Sequence, residues 1–132
     1  MLGLSARRRA PMVKLIFCLR RKPGMSPQDF RDYWANHHAP LVQKHARALG
    51  IQRYVQSYTL PSSGFSRIAD ARGAPEAFDG VAELWFTSTS DMKERGATEE
   101  GRAAGRALLE DEARFIDLAR SPLWISEEKE FL

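Results

Sequence analysis

The chain alternates between stretches with a two-residue hydrophobic repeat and longer stretches with a helical repeat. Two-residue alternation is typical of strands, whereas apolar positions three and four residues apart mark one face of a helix. We therefore expect four strands and two helical regions. The strands are predicted at residues 13–20, 51–60, 81–86 and 123–131, and the helical regions at residues 26–50 and 88–119.

Capping residues support both helical regions. Ser26 is a preferred N-cap, and Gly50 is a typical stop after a helix. The second region begins with a short helix at Ser88, which Gly96 interrupts. Thr98 can then cap a second, longer helix that runs to about residue 119.

The first helix has an unusual apolar face with three aromatic side chains and two adjacent histidines. Pro40 lacks the N–H group that would bond the carbonyl of Asn36, so we expect a kink beside His38. The face comprises Phe30, Tyr33, Trp34, His37, His38 and Leu41.

The predicted order, β-α-β-β-α-β, indicates a ferredoxin-like α+β fold, in which two helices cover one face of a four-stranded antiparallel sheet. The strands at 13–20 and 81–86 are nevertheless apolar on both faces. A bare apolar sheet face would be sticky on a monomer. We therefore expect a homodimer whose sheets pack against each other as a dimeric α+β barrel. The loop at 61–80 is long enough to be a lid, a binding loop or an inserted hairpin.

Length and charge indicate one domain with a short tail. The 132 residues suffice for a single core, and we place the domain at 12–132 and a flexible basic tail at 1–11. The net charge of +3 comes from Arg7, Arg8 and Arg9, because the rest of the chain has 17 basic and 17 acidic residues. No basic stripe remains on the domain, so we expect no nucleic-acid partner.

The sequence lacks the features of membrane, metal-binding and nucleotide-binding proteins. No apolar run approaches the length of a membrane span, so no membrane partner is expected. Cys18 is the single cysteine, which fits a reducing cytoplasm. There is no HExxH or CxxC pattern for a metal and no glycine-rich phosphate loop. We expect no metal site and no cofactor, although a haem held by a lone histidine stays open.

His38 is the first candidate for catalysis. An imidazole on a buried helix face can act as a general acid or base near neutral pH; the alternative is a core histidine bonded to a backbone carbonyl. Asp111 and Glu112 fall within the apolar stripe of the second long helix, where carboxylates are rare unless paired. We expect one of the two, with Asp111 favoured, to orient the His38 imidazole.

Aromatic residues suggest a wall for a flat apolar ligand, although such residues are more often plain core. Glu83 lies on the strand face of Trp85 and is either a buried acid inside a barrel or half of a surface ion pair. The aromatic candidates are Trp34, Tyr54, Tyr58, Trp85 and Phe86.

Three motifs carry a family resemblance: FRDYWxxxHxP at 30–40, DGxxELWF at 79–86 and DExxFID at 111–117. From about residue 12 to residue 132, the chain resembles the EthD family of small dimeric α+β-barrel proteins. The resemblance implies a ferredoxin-like subunit and a homodimer. It points to His38 as the central residue, with Tyr33 and Trp34 in support.

The resemblance also narrows the function. Similar proteins in pigment and polyketide pathways are cofactor-free dehydratases, decarboxylases or cyclases that act on oxygenated aromatic compounds. We therefore expect a cofactor-free acid/base lyase or cyclase, acting on a small apolar oxygenated ring compound in catabolism or secondary metabolism. The alternatives are an oxidoreductase, either a monooxygenase or an accessory protein of an oxidative pathway, and a dimeric ligand-binding protein without activity.

Overall fold

A computed structural model describes residues 12–61 and 65–132; the predicted basic tail at 1–11 lies outside the described residues. Four strands form one antiparallel sheet in the order β2-β3-β1-β4. The central pair, β1 and β3, is therefore flanked by β2 and β4. The strands are β1 (Val13–Leu19), β2 (Ile51–Tyr58), β3 (Gly80–Phe86) and β4 (Leu123–Glu127).

The main helices lie together on one face of this sheet, which confirms the predicted ferredoxin-like α+β fold. Helix α1 occupies residues 27–49 and helix α4 packs beside it, so that both face the same strands. The remaining helices are α2 (Ser66–Asp70), α3 (Thr89–Gly96) and α4 (Glu99–Glu112), followed by a 3₁₀ turn at Leu118–Arg120.

Several predicted boundaries are wrong. Strand β4 ends at Glu127 rather than at residue 131. Helix α4 ends at Glu112 rather than near residue 119, because the next residues pair with the chain that follows β1. The N–H of Lys22 donates to the carbonyl of Phe115, and Ile116 forms a bridge with Arg21. The segment 61–80, predicted as a loop, contains the one-turn helix α2.

Helix α1 contains a π-helical segment where the sequence predicts a kink. Regular α-helix at Pro27–Tyr33 and at Ala39–Leu49 flanks five π-helical residues, Trp34–His38. In a regular α-helix, residues four apart point in directions that differ by about 40° around the helix axis. The wider π turn compensates for this difference. Its buried positions are consequently spaced by four, at Phe30, Trp34, His38 and Val42.

A β-bulge in β2 changes the predicted faces of that strand. The pairing of β2 with β3 shifts between Ile51 and Arg53, so one residue is extra on the β2 side. Strict alternation would place Ile51 and Tyr54 on opposite faces. Because of the extra residue, both side chains line the same helix-covered side of the sheet.

Candidate active site

A cavity of about 210 Å³ lies between the sheet and the helices. Its walls are mostly apolar, with Trp34 and Val42 contributed by α1 and Leu108 by α4. Three titratable side chains line it: His38, Tyr54 and Glu112. A volume below the roughly 300–1,000 Å³ of sites for drug-sized ligands suits a molecule of one or two rings.

His38 and Asp111 form a buried hydrogen-bonded pair. The π segment of α1 supplies His38, the last turn of α4 supplies Asp111, and both side chains are less than 10% exposed. Nδ1 of His38 lies 2.8 Å from Oδ2 of Asp111, and the hydroxyl of Tyr33 donates to Oδ1 at 2.6 Å. An ionised carboxylate only accepts hydrogen bonds, so Nδ1 carries the proton and Nε2 is left as the base.

The surroundings hold this pair in a defined charge state. Burial lowers the pKa of His38 below its usual value, against the opposing effect of Asp111. Burial alone would raise the pKa of Asp111. The hydrogen bonds from Tyr33 and His38, with the nearby Arg114, outweigh burial and keep that pKa below its usual range. The pair at neutral pH is therefore an uncharged imidazole beside an ionised Asp111.

Glu112 stands on the other side of the imidazole. Its Oε2 lies 4.0 Å from Nε2 of His38, and its side chain is 19% exposed. Burial first, and the charge of Asp111 second, raise the pKa of Glu112 to about 7. Burial also raises the pKa of Tyr54 to about 12. The cavity therefore carries little charge in mildly acidic solution and gains a negative charge on Glu112 as the pH rises through about 7.

Two residues that support the site were not predicted in this role. Phe115 is fully buried, and its ring centroid lies 5.0 Å from those of both Tyr33 and His38. The sequence places it within the DExxFID motif but does not predict its contact with the imidazole. The amide of Gln56 donates to the carbonyl of Trp34 at 3.0 Å, within the π segment. No pattern in the sequence points to Gln56.

The structure brings some of the remaining candidates to the cavity and not others. Trp34 and Tyr54 line it, while Tyr33 reaches the site only through Asp111. Tyr58 is 39% exposed and packs edge-to-face against Trp34, outside the cavity. Phe86 also lines the cavity.

Glu83 and Trp85 lie on the opposite face of the sheet because β3 alternates. Glu83 accepts from Lys14 at 2.6 Å, so it is one half of an ion pair on the helix-free face of the sheet. The Trp85 ring lies between Lys14 and Arg53, and its N–H donates to Glu128. Neither residue is brought together with His38.

Within the described part of the chain, no cluster of three His, Cys, Asp or Glu side chains has the arrangement of a metal site. The helices described are all too short or too polar to cross a membrane.

Residues 22–119 match the EthD domain family. The chain belongs to the EthD family. This confirms the resemblance seen in the three sequence motifs, since the match covers all of them in whole or in large part. A crystal structure of an EthD family protein from Bacillus halodurans has a similar fold. The TM-score is 0.60 at 25% identity, and the match covers 89% of this chain and 99% of that one.

Two fungal relatives carry named activities. A decarboxylase, claH, of Passalora fulva is 28% identical over 131 residues, and the match covers 97% of this chain and 83% of that protein. A conidial pigment biosynthesis dehydratase of Metarhizium robertsii is 27% identical over 137 residues, with 93% and 89% covered. The chain is thus similar along most of its length to relatives named as lyase-type enzymes.

Proposed function

We propose that this protein is a cofactor-independent lyase that dehydrates or decarboxylates a small, mostly apolar, oxygenated ring compound. His38 moves the proton, Asp111 orients the imidazole and stabilises its protonated form, and Trp34 and Tyr54 hold the ring. Both reactions proceed by proton transfer at carbon or oxygen and need no oxidant.

One observation carries the proposal. Asp111 engages Nδ1 of a buried imidazole at 2.8 Å, while the ring lines an apolar cavity. This is the carboxylate–imidazole arrangement that fixes the tautomer of a general base. A plain core histidine would need neither a buried carboxylate nor an adjoining cavity. The names of the two fungal relatives agree with such chemistry.

The proposal is tested by substituting His38→Gln and assaying a panel of neutral β-hydroxy ketones and ortho-hydroxy aromatic carboxylic acids by mass spectrometry. Turnover should fall by at least about a hundredfold, the usual contribution of a general acid or base. His37→Gln is the matched control, because His37 is the exposed neighbour stacked on Tyr33. Full activity in His38→Gln would refute the role of His38. Thermal stabilisation by panel members without product from any of them would indicate a binding protein.

We also infer that two copies pair through the helix-free face of the sheet. Helices α1, α3 and α4 lie on the other face, and this one presents Ile16, Val55, Val81 and the 47% exposed Trp124. Apolar side chains spread over a flat sheet favour a partner of the same shape. A second copy provides that surface, and the pair would form the expected α+β barrel.

A further inference from the structure

Of the carboxylates in the described part of the chain, only Glu112 lines the cavity. The hydrogen bond to Nδ1 of His38 comes from Asp111, so Glu112 is not needed to orient the imidazole. Among the described residues, no Lys or Arg lies within ion-pair distance of Glu112, and its Oε2 lies 4.0 Å from Nε2 of His38. A carboxyl in an apolar cavity is costly unless it is hydrogen-bonded, and a substrate oxygen would supply that bond.

We propose that Glu112 is a second proton-transfer residue, and that an uncharged hydroxyl group of the substrate binds between its carboxyl and Nε2 of His38. This inference rests on the proposed lyase function and extends it to the substrate class. Asp111 is a positioning residue in this arrangement, whereas His38 and Glu112 both contact the substrate.

The distance between the two groups fits a bridging oxygen. The 4.0 Å between Oε2 and Nε2 is too long for a direct hydrogen bond, which ends near 3.2 Å. An oxygen atom beside the gap reaches both groups at ordinary hydrogen-bond length. Nε2 accepts, because the imidazole proton is on Nδ1, and a protonated Glu112 donates. A hydroxyl group satisfies both partners at once.

The charges around the space between Glu112 and His38 disfavour an anionic ligand. The titratable groups that face Glu112 are His38 from α1, Tyr54 from β2 and Asp111 on its own helix. Asp111 is ionised and Tyr54 stays protonated, and none of the described residues that line the cavity is a Lys or Arg. Since the raised pKa of about 7 leaves Glu112 largely protonated in mildly acidic solution, a neutral oxygen is the better ligand. A carboxylate placed in this gap would add a second buried negative charge beside Asp111. Of the two proposed reactions, the gap therefore favours the dehydration of a neutral substrate.

The two groups suffice for the loss of water from a β-hydroxy ketone. Nε2 of His38 gives up its hydrogen bond with the hydroxyl and takes the proton from the carbon between the ketone and the hydroxyl-bearing carbon, and the electron pair of that C–H bond forms the C=C bond. The C–O bond breaks as Glu112 protonates the leaving hydroxyl, and water departs. The imidazolium then returns its proton to the Glu112 carboxylate, directly or through that water, so the enzyme is restored without a redox partner.

Binding of α-naphthol, measured by calorimetry between pH 6 and pH 8, tests the role of Glu112. This phenol stays neutral throughout that range, and His38, whose pKa lies below 6.5, is mostly uncharged in the part of the range where Glu112 titrates. As the pH rises through about 7, Glu112 loses its donor proton, so the wild-type affinity should fall about tenfold. The affinity of Glu112→Gln should not change with pH, because its amide does not titrate.

Glu110→Gln is the control, since Glu110 is an exposed acid on the same helix, and it should keep the wild-type slope. A flat wild-type profile, or the same slope in Glu112→Gln, overturns the role of Glu112 while leaving His38 and the proposed lyase untouched. If Glu112→Gln does not fold, Glu112→Met must lose the slope instead. A wild type that does not bind α-naphthol at any pH removes both this role and the ring-binding proposal.

Discussion

At the scale of single residues, Asp111 and Glu112 are neighbours in the chain with opposite electrostatic environments. They lie about 100° apart around α4, so one carboxylate meets Nδ1 of His38 and the other meets the cavity. Two hydrogen bonds hold the pKa of Asp111 down, whereas burial raises that of Glu112 to about 7. Two carboxyl groups whose pKa values are shifted in opposite directions suit different roles, a structural role for Asp111 and a proton-donating role for Glu112.

The raised pKa of Glu112 predicts a dependence of stability on pH. The folded protein keeps this proton up to about pH 7, whereas an unfolded glutamate releases it near 4.5. The free energy of unfolding should therefore fall as the pH rises from 4.5 to 7, by on the order of 3 kcal/mol. Urea denaturation of the wild type and of Glu112→Gln at several pH values measures the difference.

Comparison with this variant isolates Glu112 from His38. The lowered pKa of His38 acts in the opposite sense, because it removes stability as the pH falls below 6.5. His38 is present in both proteins, so its contribution largely cancels in the difference. A wild type that gains stability relative to Glu112→Gln as the pH rises would contradict the raised pKa.

The partnership of His38 and Asp111 could be predicted from the sequence because an acid within an apolar stripe needs a partner. The position of Glu112 beside the cavity could not be predicted, because the two acids are adjacent in the chain and either one could have contacted the imidazole. Trp85 shows another limit. Alternation placed it on the correct sheet face, yet that face is not the one that borders the cavity.

At the scale of elements, the packing of α1 on β3 depends on one glycine. A methyl group added to Gly80 would lie 2.5 Å from Cζ3 of Trp34 and 2.9 Å from the carbonyl oxygen of Ser57. Neither atom can move easily, because Trp34 is only 1% exposed and Ser57 belongs to β2.

Gly80→Ala should therefore displace Trp34 and destabilise the protein by about 1–3 kcal/mol. The midpoint of urea denaturation gives the change. Gly105→Ala is the matched control, because nothing lies within 4 Å of a methyl group there, and in the middle of a helix it should be neutral or stabilising by up to about 1 kcal/mol. Equal effects at both sites would show that Trp34 does not restrict Gly80.

The sequence predicted the types of the secondary-structure elements, but it did not predict where α4 ends or that β2 contains a bulge. Hydrophobic periodicity identified all four strands and the long helices. The end of α4 was misplaced because the apolar spacing continues through Phe115 and Ile116, although their backbone pairs with residues after β1. The bulge at Ile51 and Arg53 likewise depends on pairing between strands, which periodicity within one strand does not report.

At the scale of the whole molecule, the sheet separates a helix-covered face with the cavity from a helix-free face. Trp124→Glu should convert the inferred dimer to a monomer, because it buries a charge in the contact between two copies. Light scattering coupled to size-exclusion chromatography gives the mass. Leu109→Glu, at a 55% exposed position on α4, is the control and should leave the mass unchanged. A monomeric wild type would contradict the inferred pairing.

The position of the His38 imidazole depends on the number of residues in the π-helical segment. Its five residues at Trp34–His38 hold one residue more than regular winding would use between Phe30 and Val42. A natural relative one residue shorter in this interval could not seat a histidine opposite Asp111 by conserving residue types alone. The number of residues between the positions of Phe30 and Val42 therefore distinguishes family members that can retain this chemistry from those that keep the fold without the chemistry.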